Sequence, residues 1–109
     1  MNSTMQPWKC LSASIQIGVL TEGWNLSDPP ADGAEDARTF RCTVVFNVPF
    51  DSPPLVHLGL SGFDVDWRDS SRVSARAVDI TASTFVAEVT TWRETRVYCV
   101  ELNWLAIGP

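Results

Sequence analysis

The sequence is poor in the residues from which metal centres and phosphate-binding surfaces are built. It has one histidine, and its three cysteines, Cys10, Cys42 and Cys99, form no CxxC pair, so we expect no zinc site. An odd number of cysteines permits at most one internal disulfide bond. Eight basic residues stand against thirteen acidic ones, a net charge of −5, so the chain lacks the basic footprint that nucleic-acid binding requires.

Long apolar segments are also missing. No apolar run approaches the roughly 20 residues that a membrane-spanning helix needs, so we expect no membrane insertion. The segment from Met1 to Lys9 has neither a basic start nor an apolar stretch, so it does not read as a signal peptide. We therefore expect that the chain is a mature form, that it works where it is made, in the cytoplasm, or that it leaves the cell by another route. Its 109 residues, 45% of them apolar, predict one globular domain.

Alternating apolar and polar residues recur along the chain, and no segment has a convincing helical period. This period-2 alternation, rich in β-branched and aromatic residues, predicts six strands, the first at about residues 12–20 and the fourth opening at Arg72. The side chains expected to face inward are Ala13, Ile15, Ile17, Val19, Phe40, Cys42, Val44, Phe46, Val56, Leu58, Leu60, Val73, Ala75, Ala77, Phe85, Ala87, Val89, Tyr98, Val100, Leu102 and Trp104. Antiparallel strands with one apolar face pack as two sheets, so the predicted fold is an all-β, six-stranded antiparallel β-sandwich.

A long loop interrupts this pattern at residues 21–37, where Gly, Pro, Asp and Asn are concentrated. Connections of this length inside a compact domain are uncommon and are often functional. Its acids, among them Glu35 and Asp36, are candidates for hydrogen-bonding a polar ligand, and they also fit ordinary turn positions. Arg72 has the same two interpretations, as a ligand-binding group or as a solvated charge at a strand end.

The segment TWRETRVY, residues 91–98, is predicted to form the tip of a hairpin between the fifth and sixth strands. Trp92 is in phase with the partly polar face of the fifth strand, whereas Tyr98 is in phase with the core residues of the sixth. An exposed indole beside a turn is suited to stack on the apolar face of a sugar ring. The alternative is an indole that packs under a loop or against a neighbouring subunit.

A hydrolytic function is not expected. His57 falls in the middle of a predicted strand, and no nucleophile motif lies near it. The sequence therefore predicts no catalytic residues.

Several short motifs occur in one order along the second half of the chain. They are F-x-x-P-F-x-x-P-P-x-V-x-L at residues 46–58, F-D-V at 63–65, R-V-x-A-R at 72–76, F at 85, T-W at 91–92, T-R-V-Y at 95–98 and W-L-A-I at 104–107. In their order and spacing they resemble the H-type lectins, which include the snail agglutinins and the carboxy-terminal domains of discoidins. The resemblance runs from about Phe46 to Ile107, and it implies that residues 1–109 form one lectin-like domain.

The resemblance implies a six-stranded sandwich that assembles as a homotrimer, sometimes doubled to a hexamer. Such a protein binds glycans that carry galactose or N-acetylgalactosamine, without catalysis, cofactor or metal. The sugar site would lie between subunits. One chain would contribute Gly33, Glu35 or Asp36, and Arg72; its neighbour would contribute Trp92 and Tyr98.

Two positions depart from the snail proteins. Arg93 follows the tryptophan where those proteins often have histidine, and its charge and length bear on which sugar is accepted. The cysteines lie away from the snail disulfide positions, so those crosslinks are not expected. The competing hypothesis is a trimeric β-sandwich that serves as an assembly module and binds no sugar.

Overall fold

The strands follow one another along the chain with no helix between them in the part that the structure describes. A computed structural model describes residues 7–29 and 37–109. The six strands are β1 (Lys9–Gly18), β2 (Arg38–Val45), β3 (Leu55–Val65), β4 (Ser74–Val78), β5 (Thr84–Thr91) and β6 (Val97–Gly108). The all-β prediction is confirmed, and no helix in these ranges is long and apolar enough to cross a membrane.

The strands form two antiparallel sheets of three strands each, in the orders β1-β6-β3 and β2-β5-β4. The long β6 strand is central in the first sheet and β5 is central in the second, so residues 92–96, which join them, pass from one sheet to the other. Because β5 and β6 do not pair, the predicted hairpin is wrong; we call residues 92–96 the β5–β6 turn. The pairings Gly18 with Cys99, Val65 with Val97, and Arg38 with Thr91 place the β1–β2, β3–β4 and β5–β6 connections at the same end of the sandwich. We call this the loop end.

The core lies between the two sheets and is dominated by aromatic side chains. Phe46, Phe50, Phe85 and Trp104 form a cluster in which neighbouring ring centroids lie 5.1 to 5.7 Å apart. Each of the four is at most 7% exposed. Large rings of this kind dominate the stabilising burial of apolar surface in a small core. The cluster confirms that Trp104 belongs to the core.

The predicted alternation is confirmed most clearly on β5, where Phe85, Ala87 and Val89 are completely buried. The predicted first strand, at about residues 12–20, begins and ends too late, because β1 begins at Lys9 and ends at Gly18. Val19 therefore lies beyond the strand and is 54% exposed.

The position of Tyr98 departs from the predicted alternation. The pairing of β3 with β6 shifts register between Asp64 and Val65, which oppose Cys99 and Val97, so Tyr98 falls in a bulge. Val97 fills the buried position instead and is 0% exposed, whereas Tyr98 is only half-buried. An extra residue in one strand changes the direction of the side chains around it. The prediction that Tyr98 points into the core is therefore wrong.

The outer face of the β2-β5-β4 sheet carries a row of three charged side chains. Arg41, Glu88 and Arg76 lie opposite one another on the three strands. The Glu88 carboxylate is 2.7 Å from Arg41 Nη2 and accepts a hydrogen bond of 2.9 Å from Arg76 Nε. These bonds hold the pKa of Glu88 below its ordinary value of 4.5, chiefly through the Arg76 hydrogen bond. The positive charge that Arg41 and Arg76 place on this face is thus neutralised in part by Glu88.

Candidate functional site

The β5–β6 turn is fixed to the connection that precedes β4. Thr95 is 1% exposed, and its hydroxyl donates a hydrogen bond of 2.6 Å to the carbonyl of Ser70. The same oxygen accepts a hydrogen bond of 3.0 Å from Nη1 of Arg72. A second threonine, Thr91, donates to the backbone carbonyl of Arg72 at 2.5 Å. These bonds hold both the backbone and the guanidinium of Arg72 against the β5–β6 turn.

Arg38, the first residue of β2, forms hydrogen bonds to both the long loop and the β5–β6 turn. Its Nη1 donates to the carbonyl of Asp28 at 2.6 Å, and its Nη2 donates to the carbonyls of Arg93 at 2.9 Å and Thr95 at 2.7 Å. A planar guanidinium suits this role because its N–H groups project in fixed directions. We call Arg38, Ser70, Arg72 and Thr95 together the Thr95 junction.

The first part of the long loop packs against the start of β6, next to the β5–β6 turn. Leu26 is completely buried, and its carbonyl accepts a hydrogen bond of 2.8 Å from the backbone N–H of Val97. The indole N–H of Trp24 donates to the carbonyl of Val97 at 2.9 Å. Residues 21–29 are therefore an anchored part of the fold rather than a plain connector.

The predicted site residues from the long loop, Gly33, Glu35 and Asp36, lie outside the described residues. The residues on either side of that segment are held together, because Nη1 of Arg38 donates a hydrogen bond to the carbonyl of Asp28. Both flanks are held at the Thr95 junction, on the same end of the sandwich as Arg72.

Arg72 does not open β4, which begins two residues later at Ser74. The Arg72 side chain is 24% exposed, and its Nη1 atom lies 3.3 Å from Oδ2 of Asp69. The interpretation of Arg72 as a solvated strand-end charge is therefore wrong. Its Nε and Nη2 atoms make no hydrogen bond with residues 7–29 or 37–109, so they keep N–H groups for a ligand.

Trp92 and Arg93 lie at the end of β5 and in the following turn. Trp92 is half-buried, and its indole N–H donates to none of the described residues. Arg93 is exposed and adopts a positive φ of 58°, a conformation uncommon for residues other than glycine. Its carbonyl is held by Arg38, and this contact stabilises the turn in that conformation.

Tyr98 lies at the loop end, and its hydroxyl donates a hydrogen bond of 2.9 Å to Asp66. Asp66 also accepts hydrogen bonds from the side chain and the backbone N–H of Arg68, at 2.8 and 2.9 Å. The Arg68 side chain is the main reason that the pKa of Asp66 lies well below its usual range. The hydrogen bond to this carboxylate raises the pKa of Tyr98 above 10.0, because ionisation would place two negative charges together.

The sequence did not single out Arg38, Asp66 or Asp69 as functional residues, and Thr95 entered only as the first residue of the T-R-V-Y motif. Arg38 could have been suspected, since it is the first arginine after the long loop and opens the next strand. The other three sit in polar stretches that read as solvated turns. Within the described ranges, no group of three or more His, Cys, Asp or Glu side chains could hold a metal ion.

The sequence model of the H-type lectin domain matches residues 41–107. The chain belongs to the H-type lectin domain family. This lectin domain is therefore a carbohydrate-binding module, and the family consists of binding modules rather than enzymes.

Comparison with known proteins supports the fold. The lectin domain is similar to "ATP synthase subunits region ORF 7" of Fuscovulum blasticum, with 41% identity over 103 residues that cover 90% of each chain. It also resembles discoidin II of Dictyostelium discoideum, with a TM-score of 0.76 and 21% identity. A second structure, of the recombinant discoidin II, gives a TM-score of 0.75 and the same identity. The lectin domain spans 39% of the discoidin II chain, while 99% and 98% of its own residues are covered.

Proposed function

We propose that this lectin domain binds terminal galactose or N-acetylgalactosamine at sites between the subunits of a homotrimer or hexamer. The observation that carries the proposal is the state of Arg72, whose guanidinium is fixed by Thr95 and Asp69 yet keeps N–H donors for a ligand. A rigid, planar set of charged donors is suited to paired sugar hydroxyls.

The acceptor side of the proposed site comes from the long loop. Gly33 allows close approach of the backbone to the sugar, and Glu35 or Asp36 accepts hydrogen bonds from its hydroxyls. The contact between Asp28 and Arg38 supports this assignment, because it anchors both flanks of the segment at the Thr95 junction.

The aromatic side of the site is proposed to come from the neighbouring subunit. Trp92 would stack on the C–H face of the sugar, with Tyr98 beside it, and Arg93 would bear on the choice between galactose and N-acetylgalactosamine. The half-buried state of Trp92 and its unused indole N–H support a contact outside its own chain.

Assembly is supported by the outer face of the β1-β6-β3 sheet. The register places Cys10, Ile107 and Leu55 side by side, with Leu105 in the next row. Leu55 is 75% exposed in the single chain. Contiguous apolar side chains on the outside of a sheet are typical of subunit contacts.

Calorimetry with free galactose and free N-acetylgalactosamine, together with a glycan array, tests the proposal. A small polar ligand buries little area, so weak binding per site and strong avidity across the oligomer are expected. Arg72→Ala should abolish binding, whereas the matched Arg76→Ala on the β2-β5-β4 sheet should retain it. Silence in every assay would contradict sugar binding and favour the assembly-module alternative.

A further inference from the structure

A small polar groove opens beside the Thr95 junction. Its volume is about 140 Å³, and it is lined by the charged side chains Asp66, Arg68, Asp69, Glu94 and Arg96. Asp69 belongs to both places, because its carboxylate lies 3.3 Å from Nη1 of Arg72. A ligand held by the remaining donors of Arg72 would therefore have this groove next to it.

The fold uses part of the groove lining for its own hydrogen bonds. The Asp66 carboxylate accepts hydrogen bonds from the side chains of Arg68 and Tyr98, so Arg68 is also held in place. Asp69 accepts from the backbone N–H of Ser70 at 2.7 Å and from Arg72. These groups form a fixed wall.

The Arg96 carbonyl accepts a hydrogen bond of 2.9 Å from the N–H of Asp66, but the side chains of Glu94 and Arg96 take no part in this network. Both residues flank Thr95, which is turned into the protein, and their own side chains line the groove. Neither side chain makes a hydrogen bond or an ion pair with any residue in the ranges 7–29 and 37–109. The groove therefore holds one charged acceptor and one charged donor that the described fold does not use.

We infer that the groove is a second sugar subsite, which takes the neutral residue next to the terminal sugar of a glycan. The inference rests on the proposed function, since the terminal sugar is the one held by Arg72. Vicinal hydroxyls of a neutral sugar can donate to Glu94 and accept from Arg96 at the same time.

The charge of the groove selects against an acidic sugar in that position. Its lining has three carboxylates and two guanidinium groups. Asp66 and Asp69 are paired with arginines, so an acidic sugar could pair with Arg96 alone and would bring its carboxylate close to that of Glu94. Two carboxylates in one small groove repel each other. A neutral glycan is therefore the expected ligand.

The test compares three soluble, monovalent glycans by calorimetry: a terminal monosaccharide that the protein binds, a neutral disaccharide ending in it, and a sialylated form of that disaccharide with the same terminal sugar. The wild type is expected to bind the disaccharide roughly tenfold more tightly, the effect of about one charge-assisted hydrogen bond. Glu94→Gln and Arg96→Gln should each remove most of this gain and leave the monosaccharide affinity within about twofold. Asp51→Asn and Arg76→Gln, charge-matched changes outside the groove, should preserve the gain, and thermal unfolding checks that each variant is folded.

Failure of this inference is distinguishable from failure of the proposed function. If the wild type binds the monosaccharide and the disaccharide equally, or if the gain survives in both groove variants, the second subsite is wrong while sugar binding stands. A gain confined to sialylated glycans would overturn the assignment of a neutral sugar. If the wild type binds no glycan, both proposals are overturned.

Discussion

The guanidinium of Arg72 donates a hydrogen bond of 3.0 Å to the hydroxyl of Thr95, a residue that is 1% exposed. The hydroxyl has one proton, which it gives to the carbonyl of Ser70 at 2.6 Å. The acceptor for Arg72 is thus fixed in orientation by a backbone group. Thr95 therefore acts as a positioning residue for Arg72 and for the β5–β6 turn.

The first prediction concerns this positioning role. Thr95→Val keeps the shape of the side chain but removes the hydroxyl, so Arg72 and the Ser70 carbonyl both lose a partner. We expect the free energy of unfolding to fall by about 1–2 kcal/mol. Sugar affinity should fall roughly tenfold, because Arg72 is then no longer fixed.

Urea unfolding and calorimetry measure these two effects. Thr43→Val is the matched control, because Thr43 is exposed on β2 and its hydroxyl bonds none of the described residues. Full sugar affinity in a folded Thr95→Val variant would show that Arg72 does not depend on this bond.

Tyr98 provides a second prediction, since it is the single tyrosine in the sequence. The ultraviolet absorbance of tyrosinate therefore reports one group. The hydrogen bond to Asp66 raises the pKa of Tyr98 above 10.0, so the folded protein should titrate at higher pH than the urea-unfolded chain. A raised pKa stabilises the fold below the unfolded value, and this stabilisation is lost as the pH rises through the folded value.

Asp66→Asn should return the titration of Tyr98 toward its ordinary pKa, because the negative charge next to the phenol is removed. Asp51→Asn, a change of the same charge in an exposed connection, should have no such effect. Identical titrations of the wild type and Asp66→Asn would contradict the contact between Tyr98 and Asp66.

The third prediction follows from the lowered pKa of Glu88. A carboxylate whose pKa is depressed by folding stabilises the protein above its unfolded value, and this stabilisation disappears as the pH falls through the folded value. Glu88→Gln should therefore lower the urea midpoint at neutral pH, and the difference from wild type should shrink below pH 4.5. Glu22→Gln, at an exposed acid of the long loop, should change neither. A difference that is independent of pH would mean that Glu88 acts through packing rather than through its charge.

The parts of the fold that could be predicted from sequence are those governed by a simple period. Phe85, Ala87 and Val89 were placed correctly because side chains alternate strictly along a regular strand, and burial of one face fixes the register. The bulge at Tyr98 breaks this period by one residue, and nothing in the composition of residues 97–99 signals it. Arg72 and Trp92 are candidates from their predicted positions at a strand end and beside a turn, but only the resemblance to a known family joins them with Tyr98 in one site.

The Thr95 junction could not be predicted, because it depends on contacts between distant segments. Thr95 stands between Glu94 and Arg96, so the local sequence reads as a solvated hairpin tip. Its burial results from packing against residues 70–72 and from Arg38, which is far from it in sequence. Such contacts are properties of the folded loop end and leave no periodic trace along the chain.

The last prediction tests whether Trp92 acts on a sugar held by Arg72 of a neighbouring subunit. Trp92→Ala and Arg72→Ala should each abolish binding when every chain carries the same change. In a ring whose boundaries pair Arg72 of one chain with Trp92 of the next, random reassembly of equal amounts restores about a quarter of the sites. Calorimetry on the dissociated and reassembled mixture measures the number of sites, and sedimentation confirms that the oligomers have formed again. A site contained within one chain gives no restoration in the mixture, and a Trp92 that only supports the turn gives a Trp92→Ala protein that still binds.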